Sequence, residues 1–268
     1  VLCPKCTLLQ LRHTVDPEYL FREYYYKSGV NEQMKDSLID IVKKAMRRVN
    51  LLPNDIVVDI GANDGTLLRA YPTELLRIGF EPAKNLLDEA MRGGNVIDNV
   101  FFSAEAFDAV NAHRAVKAKV ITAISMFYDL EDPNAFLEDV KKVLADDGLL
   151  VIQQNYVGSM LENNAFDNIV HEHLEYYSVT SLHLLLWRHE LLIDDIEFND
   201  VNGGSFRVYV KHKPKDVNVI GAHQTILSPL SEILQQEKNM GLDKPQIYKE
   251  CGEKVRIIKR KIHDYVTK

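Results

Sequence analysis

The segment Asp55-Ile-Val-Val-Asp-Ile-Gly-Ala-Asn-Asp-Gly-Thr-Leu67 limits what this chain can fold into more than any other stretch. From Ile56 to Ile60 it is mainly apolar and β-branched, the pattern of a strand buried on both faces. Gly61 and Gly65 bracket a turn that needs two positions free of side-chain bulk, and Thr66-Leu67-Leu68 then opens a helix. A strand that delivers its carboxyl end to a glycine turn and a helix N-terminus builds a cofactor crevice. Twenty positions beyond Gly61, a second apolar stretch ends in Gly79-Phe80-Glu81-Pro82. That puts Glu81 at the tip of a second strand, where a carboxylate accepts both hydroxyls of a ribose. An adenosine-type cofactor is the expectation.

What the turn lacks narrows the choice. Dinucleotide binding uses G-x-G-x-x-G, which lets the backbone close on a pyrophosphate. Here the spacing is G-x-x-x-G, with Asp59 and Asp64 as flanking carboxylates. Negative charge suits a sulfonium with an ammonium tail better than a pyrophosphate, which favours S-adenosylmethionine over NAD. Asp59, Gly61, Asn63, Asp64, Gly65, Glu81 and Pro82 are the expected cofactor contacts, with Ala104 and Glu105, after the third strand, beside the adenine. The competing reading is a strand, turn and helix with no ligand.

The rest of the chain sets bounds. Its 268 residues suffice for one large domain or one and a half. A net charge of −7, from 32 basic and 39 acidic side chains, argues against nucleic-acid or membrane-surface partners. No apolar run approaches the roughly 20 residues of a membrane span. Three cysteines make no disulfide framework, so a reducing cytoplasm is the expected setting. Cys3-Pro-Lys-Cys6 is a C-x-x-C knuckle, and a structural zinc site commonly uses two such pairs. One pair is present, and both ends of the chain read as cuts through a longer protein.

From residue 55 strands and helices alternate: strands at 55–60, 77–81, 95–98, 118–125 and 148–154, with helices near 64–71, 84–92, 105–114 and 133–145. Repeated βα units predict an α/β fold with a parallel, doubly wound sheet. Residues 191–198 and 205–211, joined by Asp200-Val-Asn-Gly-Gly204, read instead as an antiparallel hairpin. The predicted organisation is a zinc-module remnant over 1–30, a cofactor-binding domain over 31–214 and a helical extension over 215–268.

These features, together with Tyr26-Lys-Ser-Gly29, His171-Glu-His-Leu-Glu-Tyr-Tyr-Ser178 and Asn202-Gly-Gly-Ser205, resemble the bacterial sugar C-methyltransferases. The resemblance runs from the start of the chain to about residue 212. It implies a class I methyltransferase sheet, Rossmann-like, of seven strands with an antiparallel terminal hairpin, and a nucleotide-linked keto-sugar as substrate. It also implies a structural zinc ion, of which Cys3 and Cys6 are half the ligands.

The same resemblance makes His173 the general base that removes a proton next to a ketone, with Glu172 as its partner or alternate and His171 next in line. A histidine of ordinary pKa suits that task. Capping and surface roles are the plainer alternative for all three. Tyr177 divides evenly between a substrate contact and packing. Asn202 and Ser205 are a hairpin turn on sequence alone; the resemblance brings them to the crevice rim, with Arg207 near a diphosphate. Met126, Phe127 and Tyr128 either line the methyl-transfer pocket or belong to the core. A small-molecule O- or N-methyltransferase, and a non-catalytic binding module inside a larger assembly, remain as alternatives.

Overall fold

The computed structural model describes residues 1–112, 114, 116–214 and 228–267. A short strand β1 (Leu9–Gln10) and helix α1 (Pro17–Phe21) lead to α2 (Glu32–Arg48), whose N-cap Asn31 accepts the N–H groups of Gln33 and Met34. The sheet then builds through β2 (Ile56–Ile60), α3 (Thr66–Arg69), β3 (Leu76–Phe80), α4 (Leu87–Ala90), β4 (Val96–Asp98) and α5 (Ala104–Val110). It continues with β5 (Ala118–Ile124), α6 (Pro133–Val143), β6 (Leu144–Asn155) and α7 (Val157–Asn163). Strand β7 (Glu175–Tyr176) and helix α8 (Val179–Arg188) precede the hairpin β8 (Leu191–Asn199) and β9 (Ser205–His212). Helices α9 (Ser228–Met240) and α10 (Pro245–Val266) close the described chain. The expected helical extension over 215–268 falls partly outside the described residues, at 215–227 and 268.

Seven strands form one sheet in the order β4-β3-β2-β5-β6-β9-β8. The first five are parallel, while β9 runs antiparallel to β6 and β8 antiparallel to β9. Side chains alternate across each strand, so two cores result. Val57, Val120, Leu149, Val151 and Tyr209 face α2, packing on Leu38, Ile41, Val42 and Ala45. Val58, Ile121, Ile152, Phe206 and Val208 face the other way, into the cluster that holds Leu137 and Val140 of α6 and Leu182 and Leu186 of α8.

Several elements differ in extent from the expectation. The helix expected over 64–71 is a single turn, ending where Pro72 disfavours helical geometry in the residue before it. The strand expected from 148 starts at Leu144, with a register shift opposite Ala118 to Val120. At the N-terminus, β1 pairs antiparallel with β7, bridging residues far apart in sequence.

Candidate active site

The carboxyl ends of β2, β3 and β5, where the strand order reverses, open into a cavity of about 560 Å³, within the size range of small-molecule sites. Two regions of its wall differ in chemistry.

At one end, Asp59, Gly61, Asn63, Glu81 and Pro82 line the wall. Gly61 has φ +69°, and a Cβ there would lie 3.3 Å from Met126 Cγ, so glycine keeps the backbone open to a ligand. Glu81 is 6% exposed. Its Oε2 accepts the Asn63 N–H at 2.7 Å and its Oε1 the Ala83 N–H at 2.8 Å. Burial raises its pKa, and the two amide bonds oppose that shift. A carboxylate offers about four acceptor positions, so capacity for a pair of hydroxyls remains. Asp59 accepts a 2.6 Å hydrogen bond from Thr122 Oγ1. Burial pushes its pKa up to about 8 against that bond, with the Glu81 charge adding to the rise. A cation placed beside it would restore its charge. A dihydroxylated ribose and an ammonium group, both donors, fit this set of acceptors.

Four expected cofactor contacts lie elsewhere. Asp64, 1% exposed, faces away from the cavity and accepts the Gly29 N–H at 2.7 Å and the Thr66 N–H at 3.1 Å. Gly65 packs against α4, where a Cβ would meet the Ala90 carbonyl oxygen at 2.5 Å. Ala104 and Glu105 begin α5 behind the wall, capped by Ser103, and Phe101 and Phe102 line the cavity in their place. The Phe102 ring meets Phe80 edge-on at 5.2 Å between centroids.

At the other end, His173 lines the wall beside Tyr128, its ring centroid 4.4 Å from the phenol's. Its Nδ1 lies 2.8 Å from the Asn168 carbonyl oxygen. A carbonyl only accepts, so Nδ1 carries the hydrogen and Nε2 the lone pair. Burial lowers its pKa, while the Asn168 bond and the Glu172 charge pull the other way. The ring is a neutral base near pH 7. The Asn168 carbonyl thus takes the orienting part expected of Glu172. Glu172 and the exposed His171 lie off the wall.

Of the expected substrate contacts, Asn202 lines the cavity, in a left-handed conformation with φ 53°. Ser205 is buried, and its Oγ donates to the Val201 carbonyl at 2.8 Å, closing the hairpin. Tyr177 is 1% exposed; its ring packs on Phe127 and its hydroxyl donates to Glu175. Arg207 points to the α2 side of the sheet, where Nη1 meets Asp40 Oδ2 at 2.8 Å and Nε meets Gln153 Oε1 at 2.8 Å. Its charge is committed there. Met126 and Tyr128 belong to the wall, and Phe127 to the core.

Asp129, Asn155 and Asn168, and Tyr24, Tyr26 and Ser28, none of them an expected site residue, also lie on the cavity wall. Asn63 Oδ1 accepts the Ser28 N–H at 2.9 Å, and Asn85 Oδ1 accepts the Tyr24 N–H at 2.9 Å. Those bonds strap residues 24–29 to the loops after β2 and β3. The signal available was the Asn and Asp content of both loops, residue types that pair with backbone groups.

Cys3 and Cys6 are both partly exposed free thiols. Backbone N–H groups of Cys6 and Lys5, with the Cys6 side chain, hold the Cys3 thiol below its ordinary range. Among the described residues, no group of three or more His, Cys, Asp or Glu is placed to hold a metal ion.

Comparison with known proteins agrees with this geometry. Residues 30–194 match the methyltransferase domain family, and residues 200–268 match the C-methyltransferase C-terminal domain. The C-methyltransferase NovU of Streptomyces niveus is 30% identical over 267 residues, 99% of this chain and 62% of that protein. The chain thus spans about three fifths of the length of that relative. Among solved structures, a S-adenosylmethionine-dependent methyltransferase of Clostridium acetobutylicum is similar over 67% of this chain and 92% of its own, at 13% identity and TM-score 0.51. The plantazolicin methyltransferase BpumL, solved with S-adenosylhomocysteine, is similar over 66% of this chain and 84% of its own, at 12% identity and TM-score 0.51. Those two likenesses are of fold. Together with the family match over most of the sheet, they place the chain in the methyltransferase domain family, with a class I S-adenosylmethionine-dependent methyltransferase fold.

Proposed function

We propose that this chain carries the methyl-transfer site of a C-methyltransferase acting on a nucleotide-linked keto-sugar. The observation that carries the reading is His173. It is a half-buried, neutral imidazole on the cavity wall, with Nδ1 tied to the Asn168 carbonyl and Nε2 left as a base. A carbon acid beside a ketone needs such a base, whereas a hydroxyl or amine nucleophile needs less help. Likeness to NovU, named a C-methyltransferase, and to the C-methyltransferase C-terminal domain supports the same reaction class.

In this reading Glu81 holds the ribose hydroxyls, Asp59 faces the ammonium group, and Gly61 and Asn63 present backbone beside them. Bound there, S-adenosylmethionine supplies an electrophilic methyl group on a sulfonium. His173 Nε2 takes the proton next to the substrate's ketone, and Asn155, Asn168 and Asn202 meet its polar groups. We also propose that Cys3 and Cys6 are half of a structural zinc site completed by ligands outside this chain, and that residues 1–30, 31–214 and 215–268 are the units of the protein. A cytoplasmic setting suits a nucleotide-linked substrate, and no helix among the described residues is long and apolar enough to cross a membrane.

The test is His173→Ala in the full-length protein. It should still bind S-adenosylhomocysteine while methyl transfer falls about 10²–10⁴-fold, the usual worth of a positioned base. Exchange of the substrate's α-proton with deuterated water should fall with it. Turnover and exchange at the parent rate would move the base elsewhere.

A further inference from the structure

We infer that Asp129 is a second catalytic group of this site: a carboxylic acid that donates a hydrogen bond to the substrate's carbonyl oxygen while His173 takes the proton from the adjacent carbon. The inference rests on the C-methylation reading and adds the group that receives the developing negative charge.

Asp129 follows β5, its backbone N–H closing a turn onto the Met126 carbonyl at 3.0 Å. Its side chain lines the cavity, on the wall that also carries His173 and Tyr128. Oδ1 is withdrawn from solvent and has no hydrogen-bond partner. Nearly all buried polar atoms in folded proteins are paired, so this orphaned oxygen marks a carboxyl that the fold does not stabilise as an anion, on the wall of a cavity that a ligand would fill. Nothing positive compensates it: no Lys, Arg or His among the described residues makes an ion pair with it. The ionisable groups that face it are the carboxyls of Glu172 and Glu175 and the phenols of Tyr24, Tyr128 and Tyr176.

Burial, with the Glu172 and Glu175 charges adding to it, raises the Asp129 pKa well above the carboxylate range. Burial lowers that of His173. The two shifts run in opposite directions, favouring the protonated acid at Asp129 and the unprotonated base at His173. Opposite displacement of two titratable groups in one site is how acid and base are told apart.

The step balances. His173 Nε2 takes the α-proton, and the C–H electron pair becomes the C=C bond of an enolate. The carbonyl π pair moves to oxygen, where the Asp129 O–H stabilises it. The enolate carbon attacks the methyl carbon as the C–S bond breaks, its pair staying on sulfur as a thioether. The carbonyl re-forms, Asp129 keeps its proton, and the proton on His173 passes to water.

The near-isosteric Asp129→Leu variant of the full-length protein, which has no side-chain donor, tests this, with thymidine diphosphate-linked 4-keto-6-deoxyglucose as the probe. Expected are a loss in kcat of about 10²–10³-fold, the cost of removing an oxyanion donor, S-adenosylhomocysteine affinity within twofold, and an undiminished melting temperature. A structural role would lower the melting temperature instead. The parent-minus-variant infrared difference at neutral pH should show the C=O stretch of a protonated acid, shifting in D2O. An ionised carboxylate in that spectrum would overturn the assignment. So would an active parent whose Asp129→Leu variant keeps kcat within threefold, and it alone would then fall. A parent inert towards the probe would overturn the C-methylation reading together with it.

Discussion

Glu81 and Arg207 are both buried and ionisable, and they differ in what they leave unmet. Arg207 is paired on three sides, by Asp40, Glu197 and Gln153, so its charge is used up inside the fold. Glu81 has only two backbone amides for its two oxygens and opens on the cavity. Removing its charge should cost ligand affinity more than fold. Charge-assisted hydrogen bonds are worth about 1.5–3 kcal/mol, so Glu81→Gln should bind S-adenosylhomocysteine about tenfold or more weakly by titration calorimetry. Unchanged affinity would remove Glu81 from the ribose. Glu81 was legible because a carboxylate at a strand tip has few structural uses. The facing of Arg207 was not, because β9 is buried from Ser205 to Val210 on both sides and shows no polar alternation to mark one face. Tyr177 shares the difficulty, since a buried phenol finds a partner in the core as readily as in a pocket.

At the scale of elements, the alternation of strand and helix could be read because the central parallel strands are compact apolar runs, each closed by a glycine or a polar residue. The terminal hairpin was equally plain from its short Gly-Gly loop. Pairing of β1 with β7 was not legible: two residues carry no periodicity, and the partners are more than 160 positions apart. That pairing tethers the N-terminal knuckle beside the segment that follows His173, in a two-stranded sheet apart from the seven-stranded one. Two thiolates cannot close a tetrahedron, and affinity depends on closing it. The full-length protein should therefore carry about one zinc per chain by elemental analysis, and Cys3→Ser should lose it. A well-folded, metal-free full-length protein would refute the zinc assignment.

Among the described residues, the buried carboxyls of Asp59, Glu81, Glu175 and Glu237 form no ion pair, and the stability of the molecule should record that. Burial pushes Asp59 up to about 8 and Glu175 up to about 7, and raises Asp129 well above its ordinary range. In the unfolded chain these groups ionise near pH 4. The folded state thus holds more protons across the interval between, so the stability they permit is complete below the unfolded pKa and is lost as pH rises through the folded values. His173 and His183 act in the opposite sense. Burial lowers both, so their contribution is present above about pH 6.5 and is lost as pH falls below it. Ion pairs such as Lys119 with Asp147 are largely exposed and contribute little. Above about pH 6.5, where the histidine contribution is complete, the ligand-free protein should therefore lose stability up to about pH 8, by up to ~1.4 kcal/mol per pH unit for each carboxyl still titrating. Asp59→Asn keeps an acceptor for Thr122 and removes the ionisation, so it should flatten the alkaline limb in urea titrations at pH 6, 7 and 8. An alkaline slope unchanged in Asp59→Asn would mean that Asp59 is already charged in the folded protein, and that its site is more polar than its burial implies.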